Sequence, residues 1–216
     1  MLTTKFIKSF EIIVLGILFP LIILYFNLSK YILPCLWIIF FYTLIVYLVF
    51  YKTKLKFIDF FKILSHKKYI LFITLRWIIL SFILYLFTLY FFPERLFFIQ
   101  KNDSSLLYKI FIFYPIFSAF PQEFIFCTFF FKRYQKIFRN DKFIIYFSAL
   151  IFCFAHIFAI NWVAPFLSFF GGFIFANTYK KTNSLFIVSL EHSLYGNTLF
   201  YLGLGWFFWG GSVEFK

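Results

Sequence analysis

Seven apolar stretches, each long enough to cross a bilayer, constrain the fold of this chain more than any other feature. A bilayer core about 30 Å thick needs roughly 20 apolar residues in a helix. The stretches lie at residues 10–26, 31–51, 69–92, 106–131, 143–160, 163–178 and 184–204. At 63% hydrophobic residues, the chain has more apolar side chains than a water-soluble core can bury. The sequence therefore predicts an all-α, polytopic membrane helix bundle, with residues 1–216 forming a single integral membrane domain.

The lysines and arginines indicate how these helices are oriented. A formal net charge of +13 would suit a protein that binds nucleic acid, but the basic residues concentrate in alternate loops, as orientation signals do. The richest loops are residues 52–68 and 132–142. We therefore predict a cytoplasmic N-terminus, the lipid bilayer as a partner and no nucleic acid. The abundance of Phe, Ile and Lys suits an AT-rich genome, and the expected location is the cytoplasmic (inner) membrane of a bacterium.

A few ionisable side chains lie deep in the apolar stretches. At about 1.5 Å per residue, Glu123, His156 and His192 fall roughly 12, 20 and 12 Å below the cytoplasmic surface. Such groups are costly in a membrane and by default indicate a functional site. The structural alternative is a protonated Glu123 that is hydrogen-bonded to a neighbouring helix. Three ionisable residues on three stretches predict a shared polar cavity, whereas Glu11, in the first turn of its stretch, is expected at the interface.

A carboxyl and two imidazoles can support two kinds of hydrolysis. They can act on a water as a general base and an oxyanion clamp. They can also form a His-His-Glu set that holds a divalent metal such as zinc, with an open position for water. A proton or ion relay is a third reading, but transporters are typically built from inverted repeats, which this sequence lacks. The residues favour hydrolysis, leave the metal question open and assign no cofactor.

Three motifs resemble those of the CPBP family, which contains CAAX prenyl proteases and bacteriocin-processing enzymes. Gln122-Glu123, with Cys127 four residues on, resembles the Glu-Glu-x-x-x-Arg motif. Residues 152–156, Phe-Cys-Phe-Ala-His, match Phe-x-x-x-His, and residues 191–197, Glu-His-Ser-Leu-Tyr-Gly-Asn, resemble the final His-x-x-x-Asn. The order and spacing of the motifs fit the family over a protease-like core at residues 93–211.

The resemblance implies an intramembrane endopeptidase whose substrate is a peptide or protein associated with the membrane. By this resemblance, Glu123 and His156 would activate the attacking water. His192 and Asn197 would bind the oxyanion, and Gln122 would orient the water.

Three positions depart from the family motifs. Gln122 stands in place of the first glutamate, Cys127 in place of the arginine, and Asn197 one residue later than expected. An arginine one helical turn after Glu123 would hold that carboxyl ionised, and Arg76 on another helix is the candidate replacement. The departures keep a second hypothesis open, in which the chain is a catalytically impaired relative that binds a membrane peptide or acts as a scaffold.

Overall fold

The computed structural model describes residues 2–51, 67–138 and 140–209. Within these ranges the chain is helical and contains no strand, in agreement with the predicted all-α class. Most of the basic loop predicted at residues 52–68 lies outside the described residues, as do Arg139 and the residues from 210 onward.

Eight helices, joined by short turns, make up the described part of the chain. Two of them contain π-helical turns, at Val14–Leu18 in the first and at Pro115–Ala119 and Phe124–Phe129 in the fifth. In chain order the helices are α1 (Leu2–Ile13, Val14–Leu18 and Phe19–Tyr25), α2 (Ile32–Tyr51), α3 (Lys67–Phe91), α4 (Phe98–Asn102), α5 (Ser104–Tyr114, Pro115–Ala119, Phe120–Glu123, Phe124–Phe129 and Phe130–Tyr134), α6 (Asp141–Phe154), α7 (Val163–Thr182) and α8 (Leu185–Leu202).

The first five predicted spans are present as helical segments, with ends shifted by a few residues. Among the described residues, the segments long and apolar enough to cross a membrane are Lys5–Tyr25, Ser29–Tyr51, Lys67–Phe91, Ser104–Tyr134 and Asp141–Ala159. The sixth and seventh stretches form α7 and α8, of 20 and 18 residues. Such helices are about 30 and 27 Å long at 1.5 Å per residue. They carry more polar side chains than the others, and their crossing of the membrane stays a prediction.

Apolar side chains cover the outer face of the bundle as well as its interior. On α3, Leu71, Ile79 and Phe82 are each 61% exposed, and Tyr90 is 81% exposed. Continuous apolar surface of this kind is stable against lipid rather than water, and helices satisfy their own backbone hydrogen bonds there. The chain is therefore an integral membrane protein.

A buried ion pair joins α1, α2 and the end of α5. Glu11 accepts hydrogen bonds from Tyr42 and from Nε of Arg133, both at 2.8 Å. Only 7% of Glu11 is exposed, so this carboxylate is enclosed between helices rather than facing the interface as expected. Soon after Arg133 the chain turns into α6, whose Asp141 contacts Lys180 of α7 at 2.8 Å. These helix ends therefore lie at one side of the bundle.

The opposite helix ends are joined by aromatic and backbone contacts. Asn161, between α6 and α7, donates a hydrogen bond to the carbonyl oxygen of Phe207 at 2.8 Å. The Phe207 ring packs on Phe92, just beyond α3, with ring centroids 4.7 Å apart. Helix ends therefore contact each other at both of these opposite sides of the bundle, as expected for helices that alternate in direction.

Two adjacent glycines, Gly171 and Gly172, lie in the middle of α7, and Gly172 allows close helix packing. A Cβ at this position would lie 3.1 Å from the Ala149 Cα and from the Phe152 Cβ of α6. Because that distance is too short for a relaxed carbon contact, only a glycine lets α7 approach α6 this closely. Phe152 is thereby held at the centre of the bundle.

The orientation predicted from the basic loops can be tested by labelling single added cysteines. A cysteine at the exposed Lys136 should react with a membrane-impermeant maleimide only after permeabilisation, because the loop is predicted to be cytoplasmic. A cysteine at the exposed Lys101 should react in intact cells. The protein with only its native cysteines gives the background. Labelling of position 136 in intact cells would show that the orientation is wrong.

Candidate active site

The site is built on an irregular part of α5. Two π-helical turns, Pro115–Ala119 and Phe124–Phe129, flank the single α-helical turn Phe120–Glu123. Prolines lack a backbone N–H and free a carbonyl in the preceding turn, and Pro115 and Pro121 lie at the start of these segments. Isolated π-helical turns change the direction of the side chains that follow them and are frequent at functional sites.

The centre of the site is a hydrogen bond between Glu123 and His192. Glu123 is 1% exposed and His192 5% exposed, and Nδ1 of the imidazole lies 2.7 Å from Oε1 of the carboxylate. Because a carboxylate can only accept, Nδ1 donates. The Cys127 thiol donates to Oε2 of the same carboxylate at 3.1 Å. A thiol therefore occupies the position at which the family motif has a guanidinium.

Arg76 does not fill the place of that arginine. Its guanidinium forms an ion pair with the fully buried Glu191, and it donates to the Thr178 hydroxyl at 3.0 Å. Thr178 in turn donates to Oε2 of Glu191 at 2.5 Å. The expected compensation of Glu123 by Arg76 is thus replaced by a separate polar cluster that joins α3, α7 and α8.

The His192 ring is held on its other sides by two aromatic residues. The Phe175 ring stacks on it with centroids 4.5 Å apart and an interplanar angle of 16°. The Tyr114 hydroxyl lies 2.8 Å from Nε2. With Nδ1 on Glu123, the imidazole has one orientation, and both of its nitrogens are engaged.

His156 lies just beyond the end of α6 rather than within a continuous helix. The α-helix ends at Phe154, and Nδ1 of His156 lies 2.7 Å from the carbonyl oxygen of Phe152. Because that carbonyl accepts, Nδ1 carries a proton, and in the neutral ring Nε2 is left as an acceptor. The same Phe152 ring contacts both histidines, at centroid distances of 4.8 Å for His156 and 5.7 Å for His192.

The structure separates the other two predicted site residues. Gln122 lies at the cavity and donates to the Ser118 hydroxyl at 2.9 Å. Asn197 is not among the described residues that line the cavity. Its amide nitrogen lies 3.4 Å from the carbonyl oxygen of Phe111, a long contact that directs the side chain toward α5.

The polar groups lie along an apolar cavity of about 500 Å³, a size within the usual range of ligand sites. Aliphatic and aromatic side chains form most of its wall. No Lys, Arg, Asp or Glu is among the described residues that line it, and Glu123 contacts the lining residue His192. Besides the two histidines, the polar side chains among its described lining residues are those of Thr43, Tyr114, Ser118, Gln122, Tyr134, Ser168 and Tyr195.

The proposed His-His-Glu set does not have the arrangement of a metal centre. Within the described ranges, no group of three or more His, Cys, Asp or Glu side chains is placed to hold a metal ion. Glu123 and His192 direct their donor atoms at each other, and the remaining atoms contact Cys127 and Tyr114. As arranged, these side chains do not fit a divalent metal.

Tyr114 is the site residue that sequence reasoning missed. The chain has 15 tyrosines, so a tyrosine in an apolar stretch is not by itself a signal. Its position directly before Pro115, where α5 changes to π-helix, is the one local feature that distinguishes it.

A protein-family model described as type II CAAX prenyl endopeptidase Rce1-like matches residues 104–208. The matched range contains all the predicted site residues and lies inside the protease-like core predicted at residues 93–211. No curated protein and no solved structure matches the chain.

Glu191→Gln should destabilise the bundle, because it leaves the Arg76 guanidinium without its buried counter-ion. Breaking one side of a buried pair costs roughly 3–5 kcal/mol, so protein in lipid nanodiscs should lose its helical circular dichroism at a clearly lower temperature. Adding Arg76→Gln should recover part of the loss. Glu94→Gln is the control, since the Glu94 side chain is 66% exposed. Equal melting of the two single variants would contradict a stabilising role for the cluster.

Proposed function

Residues 104–208 match the model of the Rce1-like family of type II CAAX prenyl endopeptidases, and on that premise we propose that the protein is an intramembrane endopeptidase. It hydrolyses a peptide bond in a membrane-associated substrate. The observation that carries this proposal is the pairing of two differently held histidines across Phe152 at one apolar cavity. One has an acceptor nitrogen available, and the other is backed by a carboxylate.

His156 is the general base. With Nδ1 bonded to the Phe152 carbonyl, Nε2 accepts a proton from water as the water oxygen attacks the carbonyl carbon of the substrate. The tetrahedral intermediate then breaks its C–N bond, and His156 returns the proton to the leaving nitrogen. Such a positioned base typically contributes a factor of about 10² to 10⁴ in rate. Atoms balance as one peptide and one water giving an acid and an amine.

Glu123 supports the reaction through His192. A buried carboxylate on Nδ1 fixes the tautomer of an imidazole and stabilises its positive charge, and the 2.7 Å contact provides this. Negative charge that develops on the substrate oxygen is therefore favoured on the His192 side of the cavity. The resemblance to the family gives Glu123 a direct role on water. The engagement of both its oxygens by Cys127 and His192 favours the indirect role.

The cavity favours an apolar substrate segment. Since no described lining residue is charged, a charged side chain entering the cavity would lose its hydration without a partner. The charge pattern of the loops supports a cytoplasmic N-terminus, and the abundance of Phe, Ile and Lys supports the cytoplasmic membrane of a bacterium as the location.

A second function is favoured by one observation. Gln122 stands at the cavity where the motif has a glutamate, and Glu123 lies behind His192. A cavity without a carboxylate on its wall suits a protein that binds a membrane peptide and leaves it intact. The two functions differ in whether a bound peptide is cleaved.

His156→Ala should lower cleavage of a transmembrane peptide by about 100-fold or more, because it removes the general base. The measurement is the rate of product formation by purified protein in nanodiscs, followed by mass spectrometry. The matched control is His66→Ala, the third histidine of the chain, which belongs to the predicted basic loop and should leave the rate unchanged.

His192→Ala should cause a similar loss, and the double variant should lose little more, because residues that act as a unit fail together. A His156→Ala variant that cleaves at the wild-type rate would contradict the proposed endopeptidase mechanism. Peptide binding without cleavage by the wild-type protein would favour the second function.

Cleavage should persist in the presence of a chelator, since the side chains of the site do not fit a metal as arranged. The protein would be dialysed against EDTA and 1,10-phenanthroline and assayed before and after addition of Zn²⁺. Loss of activity on dialysis with recovery on Zn²⁺ addition would show that the histidines rearrange around a metal.

A further inference from the structure

We propose that the Tyr114 hydroxyl donates the hydrogen bond that stabilises the oxyanion, in the place that the family motif gives to an asparagine. This inference rests on the proposed endopeptidase function. Tyr114 is the last α-helical residue before the first π-helical turn of α5, and it lines the cavity beside His192.

The contact with His192 makes the hydroxyl a suitable donor. A tyrosine hydroxyl has one proton to donate and can also accept, and its oxygen lies 2.8 Å from Nε2. In neutral His192 this hydroxyl donates to Nε2; once the ring has taken a second proton from the aqueous phase, Nε2–H donates to the Tyr114 oxygen instead. The hydroxyl proton is then free to donate to the substrate oxygen. Glu123, on the far side of the ring, accepts the Nδ1–H in both states.

Gly196 connects this arrangement to the departure in the third motif. The motif places its asparagine four residues after the histidine, and here that position is Gly196. A Cβ at position 196 would lie 2.1 Å from Cε1 and 2.4 Å from the hydroxyl oxygen of Tyr114. The space that an asparagine side chain would enter is therefore filled by the phenol, and the hydroxyl stands where the amide would begin.

The displaced asparagine does not fill this role. Asn197 lies one residue further along α8, and its amide nitrogen contacts the Phe111 carbonyl at 3.4 Å. It is not among the described residues on the cavity wall. The Tyr114 ring, in contrast, is held from both sides, edge-on against Phe200 at a centroid distance of 5.4 Å and against the bare backbone of Gly196.

The first test removes only the hydroxyl. Tyr114→Phe keeps the ring and its packing, so the melting temperature should not change. The kcat for cleavage of the transmembrane peptide should fall by about 100-fold or more, as for other oxyanion donors, while KM changes little. The matched control is Tyr90→Phe, because Tyr90 is 81% exposed on the outer face of α3 and is not among the described residues that line the cavity; it should keep the wild-type kcat.

The second test exchanges the two donors. Gly196→Asn alone should lose activity, since its side chain collides with the phenol. Tyr114→Ala should also lose activity. Tyr114→Ala combined with Gly196→Asn should cleave measurably faster than Tyr114→Ala, because the amide then enters the vacated space.

The outcomes distinguish a failure of the Tyr114 role from a failure of the proposed endopeptidase function. A wild-type protein that cleaves, with a Tyr114→Phe kcat within about twofold of it, overturns the inference and leaves the endopeptidase intact. A double variant no faster than Tyr114→Ala overturns the exchange of tyrosine for asparagine. A wild-type protein and a Tyr90→Phe variant that both fail to cleave overturn the endopeptidase proposal and this inference with it.

Discussion

The hydrogen bond between Glu123 and His192 depends on the exclusion of water, and much of the bundle serves to maintain that exclusion. A carboxylate in an apolar interior is tolerated only when donors on other groups satisfy it. Each buried glutamate among the described residues meets this condition with a partner on a different helix. The pairs are Glu11 with Arg133, Glu123 with His192, and Glu191 with Arg76. In a bundle whose apolar contacts are almost interchangeable, these pairs fix which helices are neighbours and at what height they meet.

The geometry of the site depends equally on an irregular backbone. A regular α5 would place side chains at intervals of 100° along one continuous spiral. The turns at Pro115–Ala119 and Phe124–Phe129 interrupt that spiral on both sides of Glu123. As a result Tyr114 and Gln122 both line the cavity, while Glu123 lies behind His192. The end of α6 at Phe154 has a comparable effect, because it frees a carbonyl that holds His156.

The helices and the presence of a shared polar site could be predicted from sequence, because both depend on the residues within each single stretch of the chain. Apolar stretches determine helices in a membrane, and three ionisable residues at similar depth indicate a shared site. Which polar side chains pair with each other could not be predicted, because the pairing depends on the rotation of each helix about its own axis. Arg76 was a candidate partner for Glu123, yet it lies against Glu191. Asn197 follows Gly196 directly, but one residue is 100° of helix, which directs the amide away from the cavity.

The cavity wall has two sources, and under the proposed endopeptidase function this division would separate reactivity from substrate selectivity. His156, His192 and Tyr114 line the cavity from residues 104–208, the range that the family model matches, and Glu123 of the same range lies behind His192. A large part of the wall comes from α1, α2 and α3, outside that range, including Phe19, Leu36 and Leu84. Substitutions there change the shape offered to a substrate without touching a reactive atom. Under that proposal, α1, α2 and α3 can vary and select a different membrane peptide while the reactive residues stay unchanged.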